Sequence, residues 1–90
     1  MSRFLLSHPP MNIRVVLHKH SPIDGELWAL LAAFRYDGRY FVTSWDPRNA
    51  SPVAEELSDE ASARSILDDT IRSCCDRGWT VSYYGRLNAT

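Results

Sequence analysis

Asp37-Gly38 is flanked by two β-prone runs, Leu-Trp-Ala-Leu-Leu-Ala-Ala-Phe-Arg-Tyr over 27–36 and Arg-Tyr-Phe-Val-Thr-Ser-Trp over 39–45. Asp-Gly in that setting predicts a two-residue type I′ turn. Both central residues must take φ > 0, which these two types do at the least steric cost. Such a turn also dictates register, so that Tyr36 opposes Arg39, Phe34 opposes Phe41, Ala32 opposes Thr43 and Leu30 opposes Trp45. Because side chains alternate along a strand, one face collects Trp28, Leu30, Phe34, Tyr36, Phe41 and Trp45. The other collects Leu27, Ala29, Leu31, Ala33, Tyr40, Val42 and Ser44, and its alanines leave room for a helix to approach.

Upstream, residues 12–20 alternate as a half-buried strand: Ile13, Val15 and Leu17 face one way, Asn12, Arg14, His18 and His20 the other, with Val16 out of pattern. Ser21-Pro-Ile-Asp-Gly25 is a turn cluster of hairpin length, so this strand should pair antiparallel with the next. Downstream, Asp46-Pro-Arg-Asn-Ala-Ser-Pro52 reads as a loop, and residues 53–57 are ambiguous, since Ser51-Pro52 could start a short helical turn with Pro at its first position. Ser58 is the expected N-cap of a helix whose apolar stripe is Ala63, Ile66, Leu67, Thr70, Ile71, Cys74 and Cys75; Gly78 suits the left-handed position that ends it. Trp79-Thr-Val-Ser-Tyr-Tyr84 then alternates as a last strand, with Trp79, Val81 and Tyr83 expected inward.

The order β-β-β-α-β predicts an α+β domain, a mostly antiparallel four-stranded sheet with one long helix packed on one face. Neither the position of the fourth strand nor the face taken by the helix follows from the sequence. Ninety residues make one domain, expected over 11–88 after a flexible N-terminal arm at 1–10. No apolar run approaches the ~18 residues of a membrane span, and the first ten residues, with three consecutive apolar side chains and two prolines, make a poor signal peptide. The only two cysteines, Cys74 and Cys75, are adjacent, a poor geometry for an internal disulfide, so reduced thiols and a cytoplasmic location are expected.

The net charge is −1, mildly polarised: residues 1–50 carry six basic and four acidic side chains, residues 51–90 four and seven. That balance lacks the electrostatic footprint of a nucleic-acid-binding domain. His18 and His20 share a strand face, but their spacing from Cys74-Cys75 is no zinc pattern, and neither a metal nor another cofactor is expected. No nucleophile has an evident base, Asp68 and Asp69 diverge on the helix, and no glycine-rich loop opens a helix, so the chain is expected not to be an enzyme.

The remaining lead is the aromatic face. Two apolar sheet faces and one helix leave an apolar surface that the N-terminal arm, the 46–57 segment or a partner must cover. Aromatic and arginine side chains are the types that anchor protein interfaces. Trp28, Phe34, Tyr36, Arg39, Phe41 and Trp45 are therefore the candidate partner-binding residues of an interaction or regulatory module, with a protein partner or a second copy as occupant. Single-stranded nucleic acid stacked on the same face, with Arg14, Arg35, Arg39 and Arg86 on phosphates, is the alternative, followed by a small ligand or an enzyme of unknown type. The layout of aromatic strand, Asp-Gly-Arg-Tyr-Phe-Val, helix and terminal Trp over about 27–79 resembles WGR-type domains. The defining Trp-Gly-Arg triplet is absent, since Asp46-Pro47 follows Trp45, and no family is assigned on it.

Overall fold

A computed structural model describes residues 11–46 and 52–86. The expected arm over 1–10 lies outside the described residues, as do most of the expected loop and residues 87–90. The elements are β1 (Asn12–Ser21), β2 (Gly25–Tyr36), β3 (Arg39–Trp45), β4 (Val53–Leu57), α1 (Glu60–Asp76) and β5 (Thr80–Arg86). They form an α+β fold in which one antiparallel sheet, ordered β4-β3-β2-β1-β5, carries α1 on one face.

The Asp-Gly turn forms as the steric argument requires: φ is 54° at Asp37 and 74° at Gly38, and every β2–β3 pair expected from it is present. The β1–β2 hairpin closes through Pro22, Ile23 and Asp24. Gly25 takes φ 81°, and the Ser21 hydroxyl oxygen accepts the backbone N–H groups of Ile23 and Asp24. A three-residue loop that ends in a left-handed glycine is a common hairpin closure.

One feature corrects the four-strand expectation, and another settles a placement the sequence left open. Residues 53–57 form a strand, antiparallel to β3, so the sheet has five strands. Ala54, Glu55 and Glu56 have weak β propensity, and pairing with β3 overrides it, because strand formation depends on neighbours more than on intrinsic preference. The final strand lies beside β1, at the far edge, and runs antiparallel to it.

The helix begins one residue later than expected. Asp59, not Ser58, is the N-cap: its backbone is extended and its Oδ1 accepts the Ser62 N–H at 2.7 Å, which holds the Asp59 carboxyl below its usual range. At the other end, Gly78 N–H donates to the Cys75 carbonyl and Trp79 N–H to the Cys74 carbonyl, with φ 95° at Gly78. This paired closure satisfies two of the orphan carbonyls at a helix end. Lys19 on β1 donates from Nζ to the Arg77 carbonyl at 2.8 Å, tying the negative end of the helix to the sheet.

The core lies between α1 and one sheet face. Met11, Ile13, Val15 and Leu17 meet Leu27, Ala29, Leu31, Ala33 and Val42 under Ala63, Leu67, Cys74 and Trp79, all buried. Ile66, Ile71, Tyr40 and Leu57 pack at its margin. Of the expected stripe, Cys75 is exposed, whereas Cys74 is buried, and burial raises its thiol pKa. In the folded protein Cys75 should therefore react with a thiol reagent at least tenfold faster than Cys74, and both should react at equal rates in denaturant. Equal rates in the native state would contradict the packing of α1.

The inward pattern expected for the last strand holds at Trp79 but not along β5, where Val81 and Tyr83 are exposed. Val16 pairs with Tyr83 while Leu17 pairs with Val81, so Ser82 is an extra residue. A bulge of this kind reverses the alternation. It moves Tyr83 to the face opposite α1 and aligns Tyr84 with Val15 on the helix side.

Candidate functional site: the open sheet face

The register places a continuous set of side chains on the face opposite α1. Phe34 lies between Asn12 and Phe41, Ala32 between Arg14 and Thr43, and Leu30 between Val16 and Trp45. Trp28 lies beside His18, Glu26 beside His20, and Tyr36 beside Arg39. β5 extends the face through Tyr83 and Gly85, and β4 through Ala54 and Glu56. No helix or strand among the described residues covers it.

All six candidate residues named from the sequence are on this face. Phe34 and Phe41 stack with ring centroids 5.6 Å apart and are half-buried. Trp28 and Trp45 are 48% and 38% exposed and Tyr36 71%, well above the level of core aromatics. Arg39 pairs loosely with Glu56 across the strands at 3.7 Å. The face dips at its centre into an apolar depression of about 580 Å³, lined by Arg14, Val16, Leu30, Ala32, Thr43 and Trp45.

Sequence reasoning missed Val16, His18 and Tyr83 as members of this surface. Val16 stood out only as a break in the pattern of β1, yet on this face an apolar side chain is in place. Tyr83, expected inward, reaches this face instead, because the bulge at Ser82 depends on pairing with β1. At the upper margin, the Asn12 side-chain oxygen is buried without a hydrogen-bond donor. Such an atom carries a desolvation cost.

The lower corner is polar. Glu26 accepts from His18 Nε2 through one carboxylate oxygen and from His20 Nδ1 through the other. These hydrogen bonds, His20's first, hold the Glu26 carboxyl below its usual range. An ionised carboxylate has no hydrogen to give, so both ring nitrogens facing it carry one. The His18 ring also lies against Trp28, with centroids 4.4 Å apart, which joins this corner to the aromatic surface. Cys74 and Cys75, by contrast, are on α1, on the other side of the sheet, with Cys74 in the core. Among the described residues no group of three or more ligating side chains is arranged to hold a metal ion.

On the helix side, a smaller cavity of about 150 Å³ lies at the end of the core between Leu17, Cys74, Arg77 and Trp79. Ser44, Asp46 and Thr70 also line it. Among the described residues no helix is long and apolar enough to cross a membrane. No protein-family model, curated protein or solved structure matches this chain.

Proposed function

We propose that this domain is a non-enzymatic interaction or regulatory module whose open sheet face binds protein, the occupant being a second copy of the same chain. The observation that carries this reading is the set Trp28, Leu30, Trp45 and Tyr83, each more than a third exposed on one face of a sheet whose other face is already packed. Contiguous apolar surface of this kind marks interaction sites.

Size and charge favour a second copy. Five strands at about 4.8 Å spacing and about 3.3 Å per residue project a face of roughly 500 Å². Side-chain relief raises its accessible area toward the ~800 Å² per partner of a standard stable interface. Two sheets pack face to face about 10 Å apart, and a two-fold arrangement needs only one self-complementary surface. The rim carries both signs, in Arg39, Glu26 and Glu56, and a net charge of −1 opposes self-association little. The two free cysteines fit a reducing compartment such as the cytoplasm.

Light scattering across a concentration series tests the reading. The wild type should be a dimer, and Phe41→Glu should weaken association by at least about 100-fold, the scale of an interface anchor lost from both copies. Phe41 is half-buried, so Trp45→Glu serves as a second variant, with circular dichroism confirming a folded monomer in each case. A wild type that is monomeric at all concentrations would overturn the dimer. So would rings protected by residues 1–10, shown by unchanged mass and newly exposed tryptophan on removal of that segment. Micromolar binding of single-stranded oligonucleotides that weakens steeply with salt would replace this reading with base stacking.

A further inference from the structure

We propose that the His18–Glu26–His20 corner makes association of the open face proton-dependent, with the tightest dimer when the cluster holds one proton beyond its two neutral imidazoles. This rests on the face-to-face dimer proposed above.

The cluster sits at the rim of the aromatic surface and is joined to it by the contact of His18 with Trp28. It is accessible in the single chain: the His18, His20 and Glu26 side chains are 30%, 69% and 51% exposed. Its charge has three values. With both imidazoles neutral it is −1, because the carboxylate is ionised. One added proton, on His18 Nδ1 or His20 Nε2, makes it neutral, and a second makes it +1. Covering the corner with a second sheet removes water from it, which disfavours both charged forms relative to the neutral one.

Histidine is the side chain that pH most readily switches between neutral and charged forms, so pH sets which of the three charges the cluster carries. Few other groups compete. On the same face, Thr80 of β5 lies beside His18, and Arg14 of β1 is four residues away, with no ion-pair partner among the described residues. β2 presents Trp28 and Leu30, and Asp24 belongs to the adjoining turn. Lys19 lies on the other face, bonded to the Arg77 carbonyl, and α1 contributes no charge to this side.

Sedimentation equilibrium of the full chain from pH 5 to pH 8.5 tests the proposal, with circular dichroism at each pH. The dimer constant should pass through a maximum within this range and weaken roughly tenfold or more from there to pH 5, the effect of a proton on each copy that must be released for association. His20→Gln keeps a donor toward Glu26 but cannot take the second proton, so its acid limb should flatten. Glu26→Gln removes the carboxylate that makes the one-proton form neutral, so its association should fall from a higher pH than in the wild type. A wild-type dimer of constant strength across the range, or a His20→Gln profile identical to it, would overturn the proton linkage and leave the dimer standing. A wild type that is monomeric throughout would overturn both.

Discussion

Replacement of Trp79 by alanine should remove about 3–5 kcal/mol of stability, the scale of a large aromatic lost from a core. Trp79 is 5% exposed and belongs to two devices at once. Its backbone N–H closes the helix end on the Cys74 carbonyl, a bond that alanine keeps, and its ring, which alanine removes, packs in the core where α1 hands over to β5. A domain of this size holds about 5–15 kcal/mol in total, so the variant should melt on the order of 15 °C lower or be partly unfolded at room temperature. Reversible denaturant unfolding measures the loss directly. A change below about 1 kcal/mol would mean that β5 and the helix terminus contribute little to the cooperative unit.

The second large effect separates two neighbours in sequence. Leu30 is 48% exposed and Leu31 is 4% exposed, one on each side of β2. Leu31→Glu places a carboxylate among Val15, Ala29 and Val42 with no ion-pair partner, which should cost more than about 4 kcal/mol and unfold the domain. Leu30→Glu should leave the monomer folded to within about 1 kcal/mol while abolishing association. Urea titration with light scattering reads both quantities. If both variants unfold, the open face belongs to the core of the single chain; if both remain folded, the helix does not pack as described.

How much of this was legible beforehand varies with the range of the interaction that decides it. The β2–β3 hairpin was readable pair by pair, because a two-residue turn transmits a local φ requirement into register along both strands. The six aromatic and arginine candidates follow from that register alone, and they do share a face. The helix was readable from its 3.6-residue stripe and from Gly78, though the cap moved from Ser58 to Asp59. Both can accept from a backbone N–H, and the entry path of the chain chooses between them.

β4 was not legible, because Glu55 and Glu56 gain their strand conformation from pairing with β3 rather than from their own preference. The membership of Tyr83 in the open face was equally hidden: a one-residue bulge against β1 reverses the alternation, and nothing local to residues 79–84 announces it.

The chain alone thus determines a hairpin-led α+β domain with two apolar sheet faces and one helix to cover them, since turn chemistry and periodicity act within a few residues. Tertiary structure alone decides that α1 takes the face of Ala29 and Ala33, where small side chains admit close packing. It alone also places β5 beside β1 and β4 beside β3, and gathers His18, His20 and Glu26 at the rim of the face left open. Those outcomes depend on contacts between residues distant in sequence, whose energies are set only when the sheet closes around the core.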